Sequence, residues 1–377
     1  MSPFSRRAAA PVSAVLVGAS VALTFPWLWG QHVGAAWFDG DVARADALAR
    51  GVEASLENGD GHFQTGSERF DGEWWFGTFQ MAALGFGHLA LQHADHRVVH
   101  LAQMEKALDR LRAPGVDGFD SAAWGESPWD GLAGANDHAA FYGYTALPYA
   151  LHRKLAPGTA YDVVEQQLID ALTWRFETHG VLETYPGERY PIDNSAGIGA
   201  LGLHDAATGQ DHAALIAGWG HVARERFVDP ATGLFVQSVA ADLSVVDGPR
   251  GSGTGLASYF LSWADPALSR DLWAAQRREL YGGGLGFGAM REYPRGVFGL
   301  GDIDSGPVIF GFGVSSTGFA LSSARRHGDR DAFCALYATT HVFGAPTAVG
   351  DATRFATGGP IGDAILFAML TAPAEGR

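Results

Sequence analysis

Two kinds of helical segment alternate along this chain from residue 41 onward, and the alternation limits what it can fold into. Residues 41–59, "DVARADALARGVEASLENG", carry apolar side chains at three- and four-residue spacing and stop at an Asn-Gly pair. Residues 72–92, "GEWWFGTFQMAALGFGHLALQ", are apolar on nearly every face. The same pairing recurs at 96–115 with 136–155, 160–180 with 192–206, and 211–229 with 251–263. It recurs again at 266–280 with 301–319, and at 329–344 with 358–370. A helix apolar all round is buried all round, whereas an amphipathic one covers it. Six such pairs predict an inner ring of six helices inside an outer ring of six, an all-α (α/α)6 toroid. The segment "LFVQSVAADLSVV" predicts a short hairpin between two of the helices.

The first 36 residues read separately. Arg6 and Arg7 precede "PVSAVLVGASVALTFPWLWG", an uncharged stretch about long enough to span a bilayer. Small residues around "VGAAW" offer a cleavage site. Residues 1–36 are therefore expected to be a signal peptide or transmembrane anchor, attached to the membrane through 11–30, with 37–377 as an extracytoplasmic catalytic toroid. A formal net charge of −15 excludes a nucleic-acid partner, because phosphate binding needs a basic surface. Cys334 is the only cysteine, which excludes disulfides and thiolate metal clusters.

In a toroid all six inner helices start at one end, so the segments leading into them form a funnel. Those segments hold Glu73 and Trp74; Asp137 and His138; Asp193 and Asn194; Arg250; Asp302, Asp304 and Ser305. Aromatic residues accompany them, among them Tyr142, Tyr185, Tyr190 and Tyr293, and Glu292 lies just upstream of the two aspartates in "REYPRG". Aspartate and serine are also preferred helix N-caps. Asp302 and Asp304 cannot both cap one helix, so one is expected to cap, or Ser305 in their place, and the other to face a substrate. No metal is expected: "DID" lacks the remainder of a calcium loop, and no second histidine follows His138 at i+4. The Gly-rich runs do not follow strands, so no phosphate cradle or other cofactor site is indicated.

From residue 136 to the C-terminus, roughly 240 residues, the chain resembles the linalool dehydratase/isomerase family. The likeness is carried by "HAAFYGY", "GVLETYPGERYPIDNSAGIGALGLHD", "DIDSGPVIFGFGVSSTGFALSSARRHGD" and "GGPIGDAILFAML". It implies an extracytoplasmic (α/α)6 enzyme without cofactor; the related fold forms rings of subunits, but no interface signal in this sequence carries that over, and the oligomeric state stays open. The family's active-site histidine corresponds to His138, and its two cysteines fall at Glu183 and Asp193, so both thiols are replaced by carboxylates.

Dehydration or isomerisation of a hydroxylated small molecule needs an acid on the leaving oxygen and a base for the departing proton. Asp304 or Asp193 is the expected acid, His138 and Glu183 the expected bases, with Asp302 a further catalytic candidate. Glu73, Trp74, Asp137, Tyr142, Tyr190, Asn194, Arg250, Glu292 and Tyr293 are expected to bind substrate. The same groups suit a second reading, an extracytoplasmic glycoside hydrolase or polysaccharide lyase, since paired carboxylates and flat aromatics serve glycan cleavage. A third reading is a non-catalytic toroid that only binds its ligand.

Overall fold

The computed structural model of the protein describes residues 26–57 and 63–375. Helix α1 covers residues 26–39, followed by α2 (Val42–Glu57), α3 (Glu68–Gln92), α4 (Arg97–Leu111), α5 (Gly118–Trp124), α6 (Ala139–Leu155), α7 (Tyr161–His179) and α8 (Pro191–Thr208). Then come α9 (Ala213–Val222), α10 (Gly251–Leu261), α11 (Pro266–Glu279), α12 (Val314–Arg326), α13 (Arg330–Gly344) and α14 (Gly359–Thr371). Helix α3 packs on α6, α6 on α8, α8 on α10, α10 on α12, α12 on α14, and α14 returns to α3. That closed circuit is the inner ring. Helices α2, α4, α7, α9, α11 and α13 lie outside it, so the alternation read from the sequence is the (α/α)6 toroid.

Local sequence sets the boundaries. Pro191 and Pro266 open α8 and α11, where a missing N–H costs nothing. The Asp265 and Asp329 side chains accept the backbone N–H of Leu268 (2.9 Å) and Ala332 (3.1 Å), capping α11 and α13. Glycine in the inner helices permits close approach: a Cβ on Gly199 would lie 2.5 Å from the Phe260 carbonyl oxygen, and one on Gly143 would lie 2.8 Å from the Gly197 nitrogen.

Inner helices return to outer ones through connections of a few residues, whereas outer helices reach the next inner one through long excursions. The excursion before α6 carries α5. Those before α10, α12 and α14 carry antiparallel hairpins: β1 (Val236–Val239) with β2 (Val245–Pro249), β3 (Tyr281–Gly284) with β4 (Phe287–Met290), β5 (Val308–Ile309) with β6 (Phe312–Gly313), and β7 (Pro346–Val349) with β8 (Ala352–Phe355). The expected β1–β2 hairpin is present; the other three were read as helix or loop. One consequence is a correction. The fifth inner helix starts at Val314, not at the aspartates, because the β5–β6 hairpin intervenes.

Residues 1–25, which hold most of the expected signal or anchor, lie outside the described residues. The expected boundary at 36/37 runs through α1, which packs on α13: Trp37 Nε1 donates to Tyr337 Oη at 3.1 Å, and Phe38 meets Phe333 edge-on. Among the described residues no helix is long and apolar enough to cross a membrane.

Candidate active site

A cavity of about 880 Å³ opens at the end of the ring where the inner helices begin. All six inner helices line it. One wall is apolar, built from Leu256, Phe319, Ile361, Ile365 and Leu366; the other gathers three carboxyl groups. Glu73 comes from the first turns of α3, Asp193 from the first turn of α8, and Asp304 from the turn at 302–305 ahead of β5.

Each carboxyl has a defined neighbour. Tyr185 Oη donates to Glu73 Oε1. Tyr144 Oη and Thr184 Oγ1 donate to the two oxygens of Asp193, at 2.5 and 2.6 Å. Trp74 Nε1 donates to Asp304 Oδ1 at 3.2 Å.

The three environments separate the three acids. Burial pushes Glu73 up to about 8, and the negative charges of Asp304 and Asp193 add to the rise against the opposing Tyr185 hydrogen bond. Burial lifts Asp193 only to about 6, because Thr184 and Tyr144 hydrogen-bond its ionised form. Asp304 is open to solvent, but that solvent fills a cavity walled by protein. Desolvation, set against the Trp74 hydrogen bond and aided by Asp302 and Asp193, takes it to about 6. Glu73 is thus held above Asp193 and Asp304 in affinity for a proton, a separation that suits acid–base chemistry.

Several of the residues expected in the site stand elsewhere. His138 is fully buried off the cavity, its Nδ1 2.5 Å from Asp120 Oδ2 and its ring against Trp124 and Tyr142. It precedes α6 with a left-handed backbone (φ 46°), which turns its ring away from the ring centre toward α5. Tyr142 is buried beside it and donates to the Pro128 carbonyl.

Glu183 pairs with Arg189 (2.5 Å), and together with Asp137 it lines a different depression beside α7 and α9. Asp137 accepts the Glu183 backbone N–H and contacts His179, and so braces this loop. Asn194 ties α8 to the preceding loop, through the Leu182 N–H and the Leu182 and Tyr190 carbonyls.

Arg250 pairs with Asp302 and Asp247, and stacks on Tyr293. Glu292 is buried behind the cavity wall, where desolvation pushes it up to about 7 although Ser252 donates to it at 2.6 Å.

Both aspartates of "GDIDSG" line the cavity, and neither caps the fifth inner helix: Asp302 closes a turn instead. The Asp302 carboxylate accepts the Ser305 N–H (2.8 Å), and Ser305 Oγ accepts the Asp302 N–H (2.8 Å). Burial raises Asp302, but the Ser305 N–H and Arg250 outweigh it and hold its carboxyl below the usual range. Glu73, Trp74, Tyr190, Asp193, Asp302 and Asp304 do line the cavity. Tyr144 and Thr184, which fix Asp193, are not among the residues expected in the funnel, whereas Tyr185, which meets Glu73, is expected there only as an aromatic. Tyr144 lies on a helix apolar on every face, so no periodicity marks the side that turns inward.

No family model matches the chain, and no curated protein does. Solved structures share its architecture. An inactive variant of the α-1,6-mannanase GH76A of Salegentibacter sp. HEL1_6, in complex with α-1,6-mannotriose, is 12% identical with a TM-score of 0.53, over 89% of this chain and 98% of that one. The unsaturated glucuronyl hydrolase of Bacillus sp. GL1 is likewise 12% identical with a TM-score of 0.53, over 89% and 99%. A GH76 α-mannanase of Bacteroides thetaiotaomicron is 10% identical with a TM-score of 0.50, over 80% and 85%. These likenesses overturn the resemblance to linalool dehydratase/isomerase, and with it the lyase or isomerase reading. The small, apolar motifs that carried that resemblance are what any inner helix of a toroid needs in order to pack. They report architecture and not chemistry.

Proposed function

We propose that this protein is a glycoside hydrolase acting on neutral oligosaccharides. The observation that carries the reading is the convergence of Glu73, Asp193 and Asp304 on one cavity, where burial and the neighbouring charges hold Glu73 above the two aspartates. Glu73 is the general acid, giving its proton to the departing glycosidic oxygen. Asp304 is the second carboxylate of the pair, acting at the anomeric carbon either directly or through water. Asp193, with both oxygens already hydrogen-bonded, is a positioning residue: its charge keeps Glu73 protonated and favours the cationic transition state. Trp74, Tyr185 and Tyr190 offer flat faces to sugar rings, and the apolar wall suits their C–H faces.

A neutral sugar is favoured over a uronate because five acids line the cavity, Glu73, Glu188, Asp193, Asp302 and Asp304. The guanidinium nearest its mouth, Arg69, stacks on Tyr185 and pairs with Glu188 at 3.7 Å. The solved structures of this architecture include both mannanases and a glucuronyl hydrolase, so the choice rests on the charge of the cavity. A location outside the cytoplasm, where such substrates occur, fits the leader-like residues 1–36.

The test is a hydrolysis screen of the purified chain on neutral α- and β-linked oligosaccharides alongside uronate-containing ones. Release of reducing sugar from a neutral substrate, lost in Glu73→Gln and in Asp304→Asn, is expected. Release confined to uronate substrates, or unaffected by both substitutions, sinks the proposal.

A further inference from the structure

A second cluster lies at the far end of the ring, roughly 30 Å along α3 from Glu73 at the usual helical rise. The α3–α4 connection there reads "HADHRVVH", and it faces Asp46 on α2. Asp46 turns one oxygen to each of two imidazoles: Oδ1 lies 3.2 Å from His100 Nε2, and Oδ2 lies 3.2 Å from His96 Nδ1. The ligand atoms of the three residues all fall within 4.8 Å of one another.

Two of those atoms have an unmet need. His100 is 3% exposed, and neither its Nε2 nor Asp46 Oδ1 has a hydrogen-bond partner, despite their proximity. The neighbours explain why. Gln103 Nε2 donates to Glu53 Oε2 at 2.7 Å, so its carbonyl oxygen must be the atom facing His100 Nδ1 at 3.0 Å. Glu53 is itself anchored by Lys106 at 2.8 Å. Nδ1 therefore carries a ring proton, and Nε2 stands 3.2 Å from Asp46 Oδ1 with no hydrogen bond joining them, so the gap between the two suits a positive centre, a metal ion or a second ring proton. Ligands at 2.0–2.1 Å from a tetrahedral zinc ion stand about 3.3 Å apart, close to the separation of Asp46 Oδ1 and His100 Nε2. An outer group that donates or accepts at the other ring nitrogen, as Gln103 does, is the usual support of a metal-bound histidine.

We propose that Asp46, His96 and His100 bind a divalent transition-metal ion, Zn²⁺ foremost, that ties α2 to the α3–α4 turn. Imidazole and carboxylate ligands suit zinc better than calcium or magnesium. His96 is half exposed, so the site opens to solvent and leaves a fourth position to water. The ion joins two consecutive helical hairpin elements at the closed end of the toroid and takes no part in the cavity chemistry.

The experiment uses the full chain without a histidine tag, stripped with a chelator and titrated with Zn²⁺. One ion per chain by elemental analysis is expected. Tm should rise by about 3 °C at a hundredfold excess over Kd. Cobalt in place of zinc should give visible absorption of tetrahedral intensity. His96→Ala, at an exposed position, should fold normally and lose the ion, the colour and the Tm gain, whereas Glu73→Gln should keep all three. Equal metal content in wild type and His96→Ala, or no Tm response to zinc in wild type, overturns the proposal and leaves the trio a charge-paired cluster.

Discussion

Tyr185 and Glu73, 112 residues apart in sequence, meet in a hydrogen bond that joins the loop before α8 to the first turns of α3. The phenol supplies the proton, and burial holds that phenol far from ionising. Tyr185→Phe removes a group that favours ionised Glu73 and leaves the aromatic platform in place. The alkaline limb of the pH–rate profile should therefore move upward in this variant, with kcat reduced less than in Glu73→Gln. An unmoved limb would mean that Glu73 is not the titrating acid.

Turnover should follow a bell. Activity rises with pH as Asp304 and Asp193 ionise near 6, and falls as Glu73 loses its proton near 8. kcat/KM measured from pH 4 to 10 checks this. Glu73→Gln should lower kcat by roughly 10² to 10⁴-fold, and Asp304→Asn by a similar factor, with secondary structure unchanged in both.

The same acid costs stability at high pH. Because folding raises Glu73 from 4.5 to about 8, the native state binds a proton more tightly than the unfolded chain. Its contribution is complete below 4.5 and is lost as pH rises through 8. Above that, Glu73→Gln should stabilise the protein by about 2 kcal/mol, after allowing for screening by water in the open cavity. Thermal melts at pH 5 and pH 9 should show the advantage of the variant only at the higher pH.

Asp302 and Asp304 should separate cleanly. Asp302→Ala removes the carboxylate that closes the 302–305 turn and meets Arg250, so it should loosen that turn and lower Tm, with partial activity. Asp304→Asn should leave Tm within a degree or two and remove activity. Paired melts and rates on both variants decide the matter. If the effects are reversed, the roles given to the two aspartates are exchanged.

Gly199→Ala places a methyl group 2.5 Å from the Phe260 carbonyl, where backbone must give way. A loss of about 1–3 kcal/mol is expected from overpacking, measured by denaturant unfolding, even though alanine is the better helix former.

The architecture was legible because burial is written in periodicity: an all-round apolar helix has one place to go. The site was legible only by location. That the carboxylates cluster where inner helices begin follows from topology, and it brought Glu73, Asp193 and Asp304 to one cavity. Which neighbours they meet does not follow from topology. His138 was lost to a left-handed residue that swings its ring toward Asp120, and Glu183 to a pairing with Arg189 six positions on. In the proposed reaction the acid is Glu73 and not an aspartate, because its hold on a proton depends on desolvation and on like charges brought from distant segments. The His–x₃–His spacing sought after His138 stands instead at His96 and His100.

The closed circuit of inner helices makes the proposed acid a property of the finished ring. Glu73 is synthesised early, Asp304 late, and α14, whose Ile361 and Ile365 help wall the cavity, last of all. Until α14 docks against α3, the cavity lacks one of the six helices that wall it, and the proposed acid lacks part of its enclosure. A chain clipped before α14 would thus hold every proposed reacting group in an unfinished cavity, the last helix completing a site begun almost three hundred residues before it.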